Sequence, residues 1–309
     1  MEQNVIRLNE ARSFTDMLSA VFEILRQIAL PLLRILLVIA GPFVVLGALL
    51  VGVGSVNLFG ALQTMSLEPA RSASTFMSGL LNNVVYWAIG IPVIMISFVV
   101  ILVVSQSYVI TYQQLGRIPT DAEAREGRAG AWNTALQLYG LVFVAFLIFV
   151  AVLALPAFVT PFLLAVSMPI GMLLWFWVMI PIWVSFATCR ADGLSATQGI
   201  RYSWQLVKGN WWFCFGAFFV VSFIQGLIGS VTNVLQYVAM IALMAAGVDD
   251  GASSTAGSYV IASTYGLNLF VSAFLYAMLH VAAVVTYYDL VERKEARSMS
   301  GIIDQLGQQ

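Results

Sequence analysis

One histidine and two cysteines in 309 residues leave little from which to build a metal centre or a nucleophilic site. His280 lies inside an apolar run, and Cys189 and Cys214 stand far from it with no ligand spacing. Zinc sites need three or four such groups at characteristic intervals. A Ser/His/Asp device would have to bring an acid to His280, and the nearest in sequence is Asp289. No catalytic residue, metal site or cofactor is therefore expected, and no disulfide, since both cysteines fall toward the reducing cytoplasmic side of the topology derived below.

The polar groups that remain form stripes. Ser222, Gln225, Gly229, Asn233 and Gln236 recur at helical intervals, and Asn268, Ser272, Tyr276 and His280 recur every four residues. At about 1.5 Å per residue, antiparallel neighbours would place Gln225 near the level of Tyr276 and Asn233 near that of Asn268. Facing each other, the stripes form either a hydrogen-bonded seam, with Gly226 and Gly229 allowing close approach, or a polar path or lipid-headgroup cavity with His280 as its titratable member. No Asp, Glu, Lys or Arg lies deep in an apolar run to drive a charged solute, so proton-coupled pumping is not expected. A membrane enzyme would need Asp16, Glu23, Glu123, Asp192 or Asp289 to converge, which spacing does not establish. Glu68, Asp249 and Asp250 read as solvated loop charges.

The elements that carry these stripes are membrane spans. Only 9% of the residues are charged and 61% are apolar, too few polar groups to cover a soluble domain of this size. Six runs exceed the roughly 18 residues of a spanning helix: Leu33–Val56, Val84–Ile110, Leu136–Val159, Phe162–Ala187, Trp211–Ala246 and Tyr259–Tyr288. The fifth would extend about 54 Å as a helix against a hydrocarbon core near 30 Å, so it tilts, protrudes or breaks near Gly226 and Gly229. The first residues show no signal-peptide pattern. Arg71 stands alone on one side of the spans, and the thirteen other Lys and Arg residues fall on the opposite side, which the positive-inside rule assigns to the cytoplasm with both termini. A formal charge of −1 speaks against a nucleic-acid partner.

Three capping boxes precede odd-numbered spans: Ser13 to Asp16, Thr120 to Glu123 and Ser195 to Gln198. After the first, Phe14, Met17, Leu18, Val21, Phe22, Leu25 and Ile28 share one helical face and Ser19, Glu23 and Arg26 the other. After the third, Ile200, Trp204 and Val207 are expected to face lipid, with Arg201, Gln205 and Lys208 reaching water. Trp211 and Trp212 fit an aromatic belt rather than a ligand box, and Trp132 serves the weaker middle copy. Arg26, Trp132, Arg201, Trp204, Lys208, Trp211 and Trp212 are thus lipid-interface anchors, with anionic headgroups on the cytoplasmic side as partners. The expected architecture is one all-α membrane domain over residues 1–309. It has six spans and cytoplasmic interfacial helices in repeat-like units 13–110, 120–187 and 195–290, closed by an interfacial tail, 291–309.

Two stretches carry a family resemblance. IRYSWQLVKGNWW, Ile200 to Trp212, resembles the helix-to-span junction of the membrane domain associated with bacterial glycerophosphoryl diester phosphodiesterases, and TYYDLVERKEA, Thr286 to Ala296, resembles that family's terminal run. The opening SFTDMLSAVFEILRQ is similar to related bacterial integral membrane proteins. The resemblance implies a multi-span protein of the bacterial inner membrane. It carries over no catalytic residue, because no segment here corresponds to the soluble catalytic domain of those relatives. The expected function is that of a non-enzymatic scaffold or accessory subunit with a membrane-protein partner; the alternative is a carrier or lipid-handling protein that uses the polar stripe.

Overall fold

The computed structural model describes residues 6, 8–67, 72–154, 162–245 and 255–296. Its regular structure is helical throughout: α1 (Phe14–Ile39), α2 (Gly41–Leu67), α3 (Ser72–Leu115), α4 (Asp121–Gly127), α5 (Ala131–Ala154), α6 (Phe162–Asp192), α7 (Ala196–Val207), α8 (Trp211–Ala245) and α9 (Thr255–Glu295). Five stretches are long and apolar enough to cross a membrane, within α3, α5, α6, α8 and α9, and a sixth if the bent pair α1 and α2 counts as one. The expected interfacial tail beyond 296, the expected outer loops with Glu68, Arg71, Asp249 and Asp250, and the expected turn between Pro156 and Pro161 lie outside the described residues.

The expected first span, Leu33–Val56, is not one straight helix. α1 runs on from Phe14 through Pro31 to Ile39, and α2 leaves it at 63° after Ala40. Pro42 explains the position, because it has no N–H to donate and disfavours helical geometry at Gly41 before it. Pro92, Pro169 and Pro181 are instead accommodated inside continuous helices. α8 likewise continues through Gly226 and Gly229 without a break, over 35 residues.

The chain forms two compact units. The first takes its described residues from Met1–Leu32, Leu102–Val221 and Met278–Gln309, the second from Leu33–Ile101 and Ser222–Ala277. In the first unit, α3 is buried on every side from Leu102 to Tyr112, and α9 from Leu279 to Tyr287. On α1 the buried stripe is Met17, Val21, Ile24 and Ile28 at fractional exposures of 0%, an i, i+4, i+7, i+11 pattern. Ile24 is the member missing from the expected face, while Phe14 stays exposed. The α1 stripe therefore packs in protein rather than lying on lipid. α7 corrects in the same direction: Val207, expected to face lipid, is buried with Ser203 and Leu206.

α6 and α7 touch at a glycine. A Cβ at Gly199 would collide with Cys189 Sγ, and this closeness lets Thr188 Oγ1 donate to the Gly199 carbonyl at 3.1 Å. In the second unit, α2 and α3 meet at Gly54 and Gly90, and Trp87 Nε1 donates to the Gly54 carbonyl at 3.2 Å.

Candidate functional site

The polar stripe divides between the two units. In the second, Asn268 Nδ2 donates to Thr232 Oγ1 at 2.7 Å and to Asn233 Oδ1 at 2.9 Å. Thr232 passes its own proton to the Gly229 carbonyl at 2.7 Å, so the asparagine ends a short relay that is satisfied within the protein. Ser272 lies beside Gly229, whose missing Cβ would come within 4.0 Å of its Oγ. Gln225 is half-buried, and Tyr276 sets its ring edge-on to Phe98 at 5.2 Å. The side chain of Gln236 lies outside the described residues. Thr232 was missed because it sits one position off the Asn233 stripe, and a helix presents adjacent positions about 100° apart.

His280 belongs to the first unit. Its Nδ1 lies 3.4 Å from Gln106 Nε2, which also donates to the Trp183 carbonyl at 3.2 Å. In the same unit Ser105 Oγ, Gln106 Oε1, Ser107 Oγ and Thr286 Oγ1 are buried without a hydrogen-bond partner among the described residues. Elsewhere Ser97, Thr111, Ser185, Ser203 and Ser230 all donate to carbonyls three or four residues back. The Ser105-Gln-Ser107 run, a polar triplet inside an apolar span, was the signal available in the sequence.

A third cluster gathers on the last turns of α9. Asp289, fully buried, accepts from the Arg12 backbone N–H at 2.7 Å and from Arg293 Nε. Arg293 also donates to the Arg12 carbonyl and rests 4.1 Å over the Phe213 ring. Tyr287 donates to Asp192 at 2.7 Å, Tyr202 donates to Glu295, and Lys294 donates to the carbonyls of Gln205 and, at 2.7 Å, Lys208. Those are the last carbonyls of α7, where a cation satisfies free acceptors and complements the helix dipole. Leu8 N–H donates to Gln113 Oε1 at 3.1 Å, and the Leu8 side chain is fully buried. Residues 8–12 are thereby strapped onto the first unit.

The expected anchors sort into three groups. Arg26, Arg201 and Lys208 are exposed. Trp204 packs edge-on against Trp177 at 4.9 Å, and Trp211 stacks on Phe215 at 5.1 Å, so these two are half-buried in protein. Trp212 is 78% exposed, touching Trp211 and Phe215 edge-on.

Trp132 lines an open hollow of about 590 Å³ with Ala122, Arg125, Glu126, Arg128 and Ala129. The wall is α4, whose N-terminal capping box is complete: Thr120 Oγ1 accepts from the Glu123 N–H at 3.4 Å, and Glu123 accepts from the Thr120 N–H at 2.9 Å. Arg117 pairs with Glu123, and with the Thr120 donors it holds that carboxyl down to about 2. The cap therefore stays ionised down to about that pH. At the other end a Cβ on Gly127 would collide with Thr111 Oγ1, and Arg190 donates to the Gly127 carbonyl at 2.8 Å. Gly130, at φ +75°, turns the chain into α5.

Among the described residues no three His, Cys, Asp or Glu side chains come together as a metal site would require. The chain matches no family model, no curated protein and no solved structure.

Proposed function

We propose that the chain is a non-enzymatic accessory or scaffold protein of the bacterial inner membrane, with its termini and α4 and α7 on the cytoplasmic side. The recurrence of a capping pattern before the first, third and fifth spans supports a threefold repeat of a surface helix and a two-span hairpin, and the resemblance to the phosphodiesterase-associated membrane domains supports a multi-span protein of that membrane. The helices that begin at these positions are unequal: α4 and α7 have 7 and 12 residues, whereas α1, with 26, runs on into the first span.

The observation that carries the reading is the inequality of the spans. Half or more of the spanning stretch is buried within the chain for α3 and α9, against 6% for α5. Leu136, Val144, Leu147, Ile148 and Val152 all stand exposed on α5. In a bilayer such a helix is soluble in lipid, and helix association is decided by packing rather than by hydrophobicity. α5 is thus the element available to a second membrane protein.

Native mass spectrometry of the protein, extracted gently from its own membrane, tests this. A stoichiometric membrane-protein partner, displaced by Leu147→Trp and Ile148→Trp on α5, is the expected result. A solitary chain, carrying one distinctive lipid or solute that is lost with Asn268→Leu, would overturn it in favour of a carrier.

A further inference from the structure

The hollow beside α4 has the composition of an anion site rather than of a passive surface. Arg125 and Arg128 both line it, and neither makes an ion pair among the described residues, whereas Arg12, Arg117 and Arg293 are each paired with a carboxylate. Arg128 is held in place by one hydrogen bond, from Nη1 to the Ala124 carbonyl at 3.3 Å. A guanidinium has five N–H donors, so most of its capacity remains for a ligand. Partial burial, and next the charge of Arg125, lower the pKa of Arg128, partly offset by the carboxylate of Asp121. Two cations side by side in a partly desolvated hollow are in mutual repulsion, and a bound anion relieves it.

The surroundings favour a particular anion. The hollow adjoins the first turn of α5, a 24-residue helix whose positive dipole end adds to the field. Glu126 is also in the lining, so the lining side chains carry one net positive charge, and Asp121 acts on Arg128 from outside it. Trp132 supplies an apolar wall next to the polar one, and Ala122 and Ala129 leave room between them. Arg forks match phosphate oxygens bidentately. The α4 wall is fixed in advance by its capping box, by Gly127 against Thr111 and by Arg190, so little ordering remains for the ligand to induce.

We infer that this hollow is a binding site for a phosphate group of about one negative charge, held by Arg125 and Arg128 with Trp132 against its organic part. A phospholipid headgroup and free phosphate share that chemistry. The site is independent of the accessory-subunit reading, since it needs no protein partner.

The test is a native mass spectrometry titration of the full chain in neutral detergent with phosphatidylglycerol, phosphatidylcholine or inorganic phosphate. The wild type is expected to retain phosphatidylglycerol over phosphatidylcholine, and Arg125→Gln with Arg128→Gln to weaken that retention about tenfold. Glu126→Gln is expected to strengthen it a few-fold, an effect that misfolding does not produce. Displacement of the lipid by inorganic phosphate would assign the site to a soluble phosphate, and resistance to it would assign a headgroup; either supports the site. Equal retention by wild type and the double arginine variant, or weaker binding by Glu126→Gln, overturns it. Arg34→Gln, at an exposed cation on α1 outside the hollow, separates this site from general surface attraction and is expected to change retention less than twofold.

Discussion

Glycine and asparagine, rather than reactive groups, make the sharpest statements at the scale of single residues. Gly127 lets α4 press on α3 where any side chain would strike Thr111, while Gly140 on α5 has open space around its absent Cβ. Gly127→Ala is therefore expected to destabilise the protein by about 1–3 kcal/mol through overpacking, and Gly140→Ala to leave stability unchanged or slightly raised, since Ala is the better helix former. Thermal unfolding in one detergent compares them directly; equal effects would show that α4 does not sit on α3 as described. Of the polar stripe, spacing indicated that Asn233 and Asn268 share a level, and they do hydrogen-bond. It did not reveal that His280 belongs with Gln106, because periodicity reports a face of one helix and not which neighbour that face meets.

Among elements, apolar length and capping chemistry were readable and packing was not. Capping could be read from hydroxyl and carboxyl or amide spacing because those interactions are local: Thr120 and Glu123 make both bonds, while Asp16 N–H donates to Ser13 Oγ and Ser195 N–H to Gln198 Oε1. The burial of α3 from Leu102 to Tyr112 could not be read, because in a bilayer both lipid-facing and protein-facing positions are apolar. The α1 and α7 stripes were expected to meet lipid for the same reason. The strap formed by residues 8–12 escaped notice because it depends on contacts made across almost the whole chain, from Arg12 to Asp289. Asp289→Leu leaves the Arg12 N–H and the Arg293 guanidinium without their acceptor and is expected to cost about 1–3 kcal/mol. Asp289→Asn keeps an oxygen for the Arg12 N–H and is expected to lose less. Protease cleavage within residues 8–12 should quicken in the leucine variant; unchanged protection would show that the strap is held by Leu8 alone.

For the whole molecule, the account rests on orientation. Thirteen of the fourteen Lys and Arg residues are expected on one side of the spans, those of α4, α7 and the described end of α9 among them, and the proposed topology puts that side in the cytoplasm. Both native cysteines are buried, so a cysteine placed on an exposed position reports its own location. Ala122 on α4 and Thr197 on α7 are such positions. The most direct measurement is labelling of Ala122→Cys and Thr197→Cys with a membrane-impermeant maleimide, in intact spheroplasts and in inverted membrane vesicles. The account predicts reaction in the inverted vesicles and none in the intact spheroplasts, whereas labelling of either position from outside the spheroplasts would contradict it.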